Sequence, residues 1–133
     1  MLDRILPRFE GVAYALLRVV TGVLLAMHGT QKLFGWFRTG PGPELGSQMW
    51  IGGVIELVGG TLIAVGLFTR WAAFVCSGMM AVAYVQFHWK LAFDGSFFPI
   101  VNRGELALTF ALVFLFIACR GPGAPSVDGS LRK

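Results

Sequence analysis

Residues 11–34 read GVAYALLRVVTGVLLAMHGTQKLF, and this run decides the fold. It holds an arginine, a histidine, a lysine and no acidic residue among long apolar stretches. A bilayer core about 30 Å thick needs about 20 helical residues to cross it. A lipid-exposed backbone must also satisfy its own hydrogen bonds, so the run predicts a transmembrane helix. Three more runs of this kind follow, at residues 49–68, 71–93 and 101–119. They are separated by a Gly/Pro-rich stretch around Gly40-Pro41-Gly42-Pro43, a tight turn at Thr69-Arg70, and the loop Asp94-Gly95-Ser96-Phe97-Phe98-Pro99. Such breaker clusters mark connections between helices.

Composition agrees. The chain has 133 residues, of which 56% are hydrophobic and 14% charged, with a mean hydropathy of +0.71. Ordinary soluble domains carry about 45–50% apolar and about 25% charged residues, and a small globule cannot hide such an excess in one core. A soluble monomer is excluded on these grounds, and so is a disordered chain, which would be poor in apolar residues. The net charge of +4 does not indicate nucleic acid. The basic residues stand singly at the ends of apolar runs, where they act as topology signals. Cys76 and Cys119 fall in or beside apolar stretches without metal-ligand spacing and read as small buried hydrophobes. Residues 11–34 lack a small-residue cleavage site and read as a retained span, not a removable signal.

These runs predict an all-α integral membrane protein, an antiparallel bundle of four transmembrane helices over residues 11–119. Residues 1–10 form an interfacial segment before it, and the polar Gly/Pro-rich residues 120–133 form a flexible tail after it. With four spans, Arg4, Arg8, Arg70, Arg120, Arg132 and Lys133 share one side, against Lys32, Arg38, Lys90 and Arg103 on the other. The positive-inside rule then places both termini in the cytoplasm. Glycines recur along helix faces: Gly52, Gly53, Gly59, Gly60 and Gly66 on the second span, and Gly22 and Gly29 on the first. Small residues at such spacing let helix backbones approach closely in a membrane.

The ionisable residues inside the spans carry the functional signal, because a charge at membrane depth is expensive unless partnered. At 1.5 Å per residue, Glu56 and His28 sit about 10 Å and about 9 Å below the outer ends of their helices. Lys32, His88 and Glu105 are shallower, and Arg18 lies in the opposite half. His28, Lys32, Glu56, His88 and Glu105 therefore form a candidate polar pocket built by all four helices. Glu56 is expected to pair with Arg18 or with Lys32, since unpaired buried ions are strongly penalised. His28 and Lys32, four residues apart, share a helix face. No metal site is expected: the paired Glu-x-x-His of di-iron bundles is absent, and nearby basic groups oppose a cation. A weak repeat is also visible, with His28…Lys32 then Glu56 in the first half and His88…Lys90 then Glu105 in the second. It predicts two parallel hairpin repeats.

These residues resemble the DoxX family of small bacterial membrane proteins. The resemblance rests on Leu17-Arg18 with Gly22, then His28-Gly29-Thr30-Gln31-Lys32-Leu33, then Glu56-Leu57-Val58-Gly59-Gly60 and Gly66-Leu67-Phe68-Thr69-Arg70. His88, the Gly95-Ser96-Phe97-Phe98 loop and Gly104-Glu105-Leu106-Ala107-Leu108 extend it, so that it covers most of residues 16–119. It implies the bacterial inner membrane, the bilayer and other membrane or redox proteins as partners, and no nucleic acid. It further implies a membrane subunit of a quinone- or sulfur-linked redox system, with a quinone headgroup as candidate ligand. No haem, dinucleotide or Fe–S pattern is present in the chain, so no intrinsic cofactor is expected. Two other functions stay open at this level: an anchoring subunit whose buried charges only lock the bundle, and a small-solute or proton carrier, which as four helices would need to form a homo-oligomer.

Overall fold

The computed structural model describes residues 1–132, and among these it contains helices, turns and no β-strand. A helical turn α1 (Leu2–Ile5) and a 3-10 turn (Leu6–Phe9) lead into α2 (Glu10–Phe34). Then follow α3 (Gln48–Val65), α4 (Thr69–Ala83) continued by a π-helical turn (Tyr84–Trp89), and the short α5 (Pro99–Asn102). The chain closes with α6 (Glu105–Arg120) and a small terminal helix, α7 (Val127–Leu131). Among the described residues, three helical runs are long and apolar enough to cross a membrane: Leu2–Phe34, Gln48–Val65 and Thr69–Trp89.

Local chemistry sets the helix ends. Ser47 begins α3 by accepting the Trp50 amide at 3.2 Å, an ordinary N-cap. Gly66 ends α3 at φ 74°, and its own amide and that of Leu67 return to the Leu62 carbonyl. A left-handed residue there is most cheaply a glycine. The turn expected at Thr69-Arg70 therefore falls earlier, at residues 66–68, and Thr69 and Arg70 open α4 instead. Its cap comes from far along the chain: the Asp128 carboxylate accepts the Phe68 and Thr69 amides, each at 2.9 Å, and the Thr69 hydroxyl at 2.8 Å.

Two other expected spans are corrected. The run 71–93 stays helical only to Trp89, because Lys90 and Leu91 both adopt positive φ. The run 101–119 is broken at Arg103, also at positive φ, so α6 starts at Glu105 and has 16 residues, about 24 Å of helix. Asn102 stabilises the break, its side-chain oxygen accepting the Gly104 amide at 2.8 Å and its amide group donating to the Ser96 carbonyl at 2.9 Å.

Helices α2 and α3 pack most closely, running in opposite directions. A Cβ on Gly22 would lie 2.7 Å from both the Ala64 amide and the Gly60 carbonyl, and one on Gly29 would strike Leu57 and the Gly53 carbonyl. Gly59 instead meets Cys76 of α4. Gly53 rests against Lys32 and Leu33. Gly52 touches nothing on this seam, and Gly66 both makes the turn and leaves room for the Arg18 guanidinium of α2 and for Ser126. Helix α4 packs on α6 along Ser77, Ala111 and Phe114, and the Ser77 hydroxyl donates to the Ala111 carbonyl at 2.7 Å. Most large apolar side chains outside these seams are exposed on the helix surfaces, as a membrane protein requires.

Residues 120–132, expected to be a flexible tail, fold back onto the helix ends. Tyr14 donates to the Gly121 carbonyl, Arg18 Nη2 to the Pro125 carbonyl at 2.5 Å, and the Asp128 amide to the Gly66 carbonyl at 2.8 Å. Arg70 binds the last carbonyls of α6 at Ala118, Cys119 and Arg120. The tail is polar because it caps helix termini, which have unpaired amides and carbonyls to satisfy.

Candidate functional site

The close seam between α2 and α3 creates the central feature. With glycine backbones in contact, the last turn of α2 lies against the first half of α3, and Lys32 Nζ reaches Glu56 Oε1 at 2.6 Å. Glu56 is 3% exposed and Lys32 27%. Only one carboxylate oxygen is satisfied: Glu56 Oε2 is buried and has no hydrogen-bond partner among the described residues. A buried acceptor left in this state costs about 1–3 kcal/mol, more when charged.

The partner foreseen as an alternative for Glu56, Arg18, does not reach it. Arg18 precedes Lys32 by 14 positions on the same helix, a separation of about 21 Å. Its guanidinium is buried near the other end of α2, bonded to the Pro125 carbonyl, with Nε and Nη1 unpartnered among the described residues. A tail expected to be flexible offers Arg18 no fixed acceptor, whereas the folded-back tail does.

Four of the five residues singled out for the pocket line one chamber of about 320 Å³: His28, Lys32, Glu56 and His88. The His28 ring meets the Phe110 ring edge-on at 6.5 Å between centroids. His88 Nδ1 lies 3.2 Å from the Asn102 carbonyl oxygen. Glu105 does not join them. It is exposed in the first turn of α6, outside the chamber lining, where an acidic residue favours the helix N-terminus. Glu56 and Glu105, equivalent in the repeat pattern, thus have different surroundings. Arg103 lines the chamber instead.

In the sequence Arg103 stands only as a topology charge, and neither it nor Asn102 is marked there as a chamber residue, since their positions depend on the break before α6. The π turn is similarly silent. Within it, Lys90 donates its amide to the Val85 carbonyl at 2.8 Å, one residue further back than in an α-helix. Gly104 packs flat on the Tyr84 ring, where a Cβ would come within 2.6 Å. Together these contacts hold His88 at the chamber wall.

A second, larger cavity of about 560 Å³ lies between α3 and α4 and also includes Lys32 and Glu56 in its lining. Among the described residues no group of three His, Cys, Asp or Glu side chains is arranged to hold a metal ion.

A family model described as DoxX matches residues 13–89. The chain belongs to the DoxX family. The matched stretch includes α3, α4, the π turn and nearly all of α2, and so contains His28, Lys32, Glu56 and His88 but not Arg103, Glu105 or the tail. An uncharacterised protein of Haemophilus influenzae is 42% identical, over 96% of this chain and 97% of its own length. An uncharacterised membrane protein of Mycobacterium tuberculosis is 30% identical, over 88% of this chain and 80% of its own. No solved structure matches the chain significantly. This DoxX-family chain is a membrane protein, by its helices and by these relatives.

Proposed function

We propose that this DoxX-family chain is a membrane subunit of a redox system that binds a quinone headgroup in the chamber formed by His28, Lys32, Glu56 and His88. The hairpins α2–α3 and α4–α6 form a four-helix transmembrane bundle in the bacterial inner membrane. Both termini are cytoplasmic and the chamber faces outward. One observation carries the ligand reading: Glu56, whose buried Oε2 has no donor among the described residues, is one of the residues lining a space large enough for a small ring. An ion pair that only locked the bundle would be better built with both oxygens satisfied.

The residues fit such a headgroup. Lys32 Nζ keeps protons beyond the one given to Glu56 and can donate to a carbonyl oxygen. Glu56 Oε2 can accept from a hydroxyl, and the histidines can receive or return the accompanying protons. A bound quinone supplies the electron-carrying ring, while a partner protein supplies the electrons.

The test is binding of a tail-less benzoquinone headgroup analogue to the full chain in lipid nanodiscs. Saturable binding that weakens at least tenfold in Glu56→Gln, with the variant's size-exclusion profile and circular dichroism unchanged, supports the assignment. A tenfold loss corresponds to about 1.4 kcal/mol, the scale of one hydrogen bond to a charged group. No saturable binding, or equal binding by the variant, overturns it.

A further inference from the structure

We infer that the cleft between α3 and α4 holds the hydrocarbon chain of a single-tailed amphiphile, whose polar head sits at Lys32–Glu56 and which enters sideways from the bilayer. The inference rests on reading that ion pair as a ligand site, and it adds the ligand class: a molecule dissolved in the membrane, not one arriving from water.

Continuity is the first ground. The cleft and the histidine chamber share Lys32, Glu56, Met49, Met80, Ala83 and Phe87, so the two spaces adjoin at the ion pair. The cleft's volume of about 560 Å³ lies within the roughly 300–1,000 Å³ of small-molecule sites. Apart from Lys32 and Glu56 its walls are uncharged, and its polar side chains are already engaged. Ser77 donates to Ala111, and Gln48 Nε2 donates to Gln86 Oε1 at 2.5 Å. The arrangement is polar at one place and apolar along the rest, which matches a head and a chain.

The direction of opening is the second ground. Ile51 is 50% exposed, Phe74 60% and Val75 51%, all on helices long and apolar enough to cross the membrane. A cleft rimmed by such side chains at that depth opens to lipid. The Gln48–Gln86 bond bridges α3 to the π turn beside Met49, across the end of the cleft nearest the loops. That bridge obstructs approach from the loop side and leaves the lateral route.

The third ground is two glycines without a packing role. Gly52 of α3 and Gly78 of α4 both line the cleft, and a Cβ added to either would meet nothing within 4 Å. Glycine is poor in a helix, by about 1 kcal/mol against alanine. Where Gly22, Gly29 and Gly60 are demanded by a neighbouring backbone, Gly52 and Gly78 only keep the cleft wide.

The experiment compares two analogues of one benzoquinone head, tail-less and carrying a ten-carbon chain, on the full protein in nanodiscs of fixed composition. In the wild type the chain-bearing analogue binds more tightly by a measured ratio. Gly52→Leu and Gly78→Leu, made separately, fill the cleft from opposite walls and lower that ratio at least tenfold. An unchanged ratio in both variants overturns the inference while leaving the head site intact. A diazirine at the chain terminus gives an independent readout: labelling of residues on the facing sides of α3 and α4 supports the inference, and labelling confined to α2 or α6 overturns it. Failure of the head reading is recognised separately, by absent binding of the tail-less analogue or its indifference to Glu56→Gln.

Discussion

Lys32 Nζ stands 2.6 Å from Glu56 Oε1, but the two partners are buried unequally, the lysine retaining 27% exposure and the glutamate 3%. The inequality gives the pair a direction. Removing Lys32 strands an almost fully buried carboxylate without its one hydrogen-bond donor, whereas removing Glu56 leaves a lysine whose long stem can carry its charge outward. Lys32→Met should therefore destabilise more than Glu56→Gln. We expect about 2–3 kcal/mol for the lysine variant, below the roughly 3–5 kcal/mol of a fully buried pair because Lys32 is partly solvated. The double variant should recover much of the loss. Thermal unfolding in one detergent checks all three, and equal destabilisation by the two single variants contradicts the asymmetry.

The glycines separate into two classes with opposite expectations. Gly29→Ala drives a methyl group into Leu57 and the Gly53 carbonyl, on the seam that brings Lys32 to Glu56. Overpacking of this kind costs about 1–3 kcal/mol, and the displaced helix should also weaken ligand binding. Gly52→Ala meets nothing and replaces a poor helix former, so its stability should stay level or rise by up to about 1 kcal/mol. Unfolding midpoints of the two variants, measured side by side, should move in opposite directions or differ clearly in size.

How much of this was legible in the sequence depends on the range of the interaction concerned. The helical runs and the α2–α3 glycine seam are written in local composition and spacing, which is why Gly22, Gly29 and Gly60 could be named as packing residues. The choice between Arg18 and Lys32 for Glu56 depends on depth and on what else is available to each base. The acceptor that engages Arg18, the Pro125 carbonyl, lies 107 residues away. Glu105 looks like Glu56 because each is an early acidic residue in a run that follows a His and Lys pair, but after the helix break at Arg103 it lies at the surface. That break, the π turn and the docking of the tail arise from hydrogen bonds, many of them between side chains and backbone, that leave no hydrophobic period to detect.

Asp128 makes tail docking dependent on pH. Burial alone would raise its carboxyl, but the Thr69 amide and hydroxyl, the Phe68 amide and the Arg132 charge outweigh that and hold it below its ordinary value. A depressed carboxyl contributes stability that is full above the unfolded-state value, about 3.9, and is lost as pH falls through the lower native value. Protection of residues 122–132 against hydrogen exchange should thus stay constant from neutral pH to the ordinary carboxylate range and decline below it. Asp128→Ala should lower that protection at neutral pH and remove the decline, at a cost of about 0.5–2 kcal/mol, as for other helix caps. A tail equally protected in the variant would show that the cap does not hold it.

The tautomer of His88 follows from the group it faces. Nδ1 lies 3.2 Å from the Asn102 backbone oxygen, and a carbonyl can only accept, so in the neutral ring Nδ1 must carry the proton. Nε2 is then the acceptor and is the nitrogen able to take a proton from the chamber that His88 lines. Nitrogen-15 spectra of the neutral protein should accordingly show His88 with a protonated Nδ1, the less common form of free histidine. Asn102→Ala removes the bonds to Ser96 and Gly104 that organise this turn. It should cost about 1–2 kcal/mol and let the signal drift toward a mixture of tautomers as the carbonyl loses its fixed place. A protonated Nε2 in the wild type would mean that this nitrogen donates into the chamber, and the histidine would then be a hydrogen-bond donor to the ligand instead of a proton acceptor.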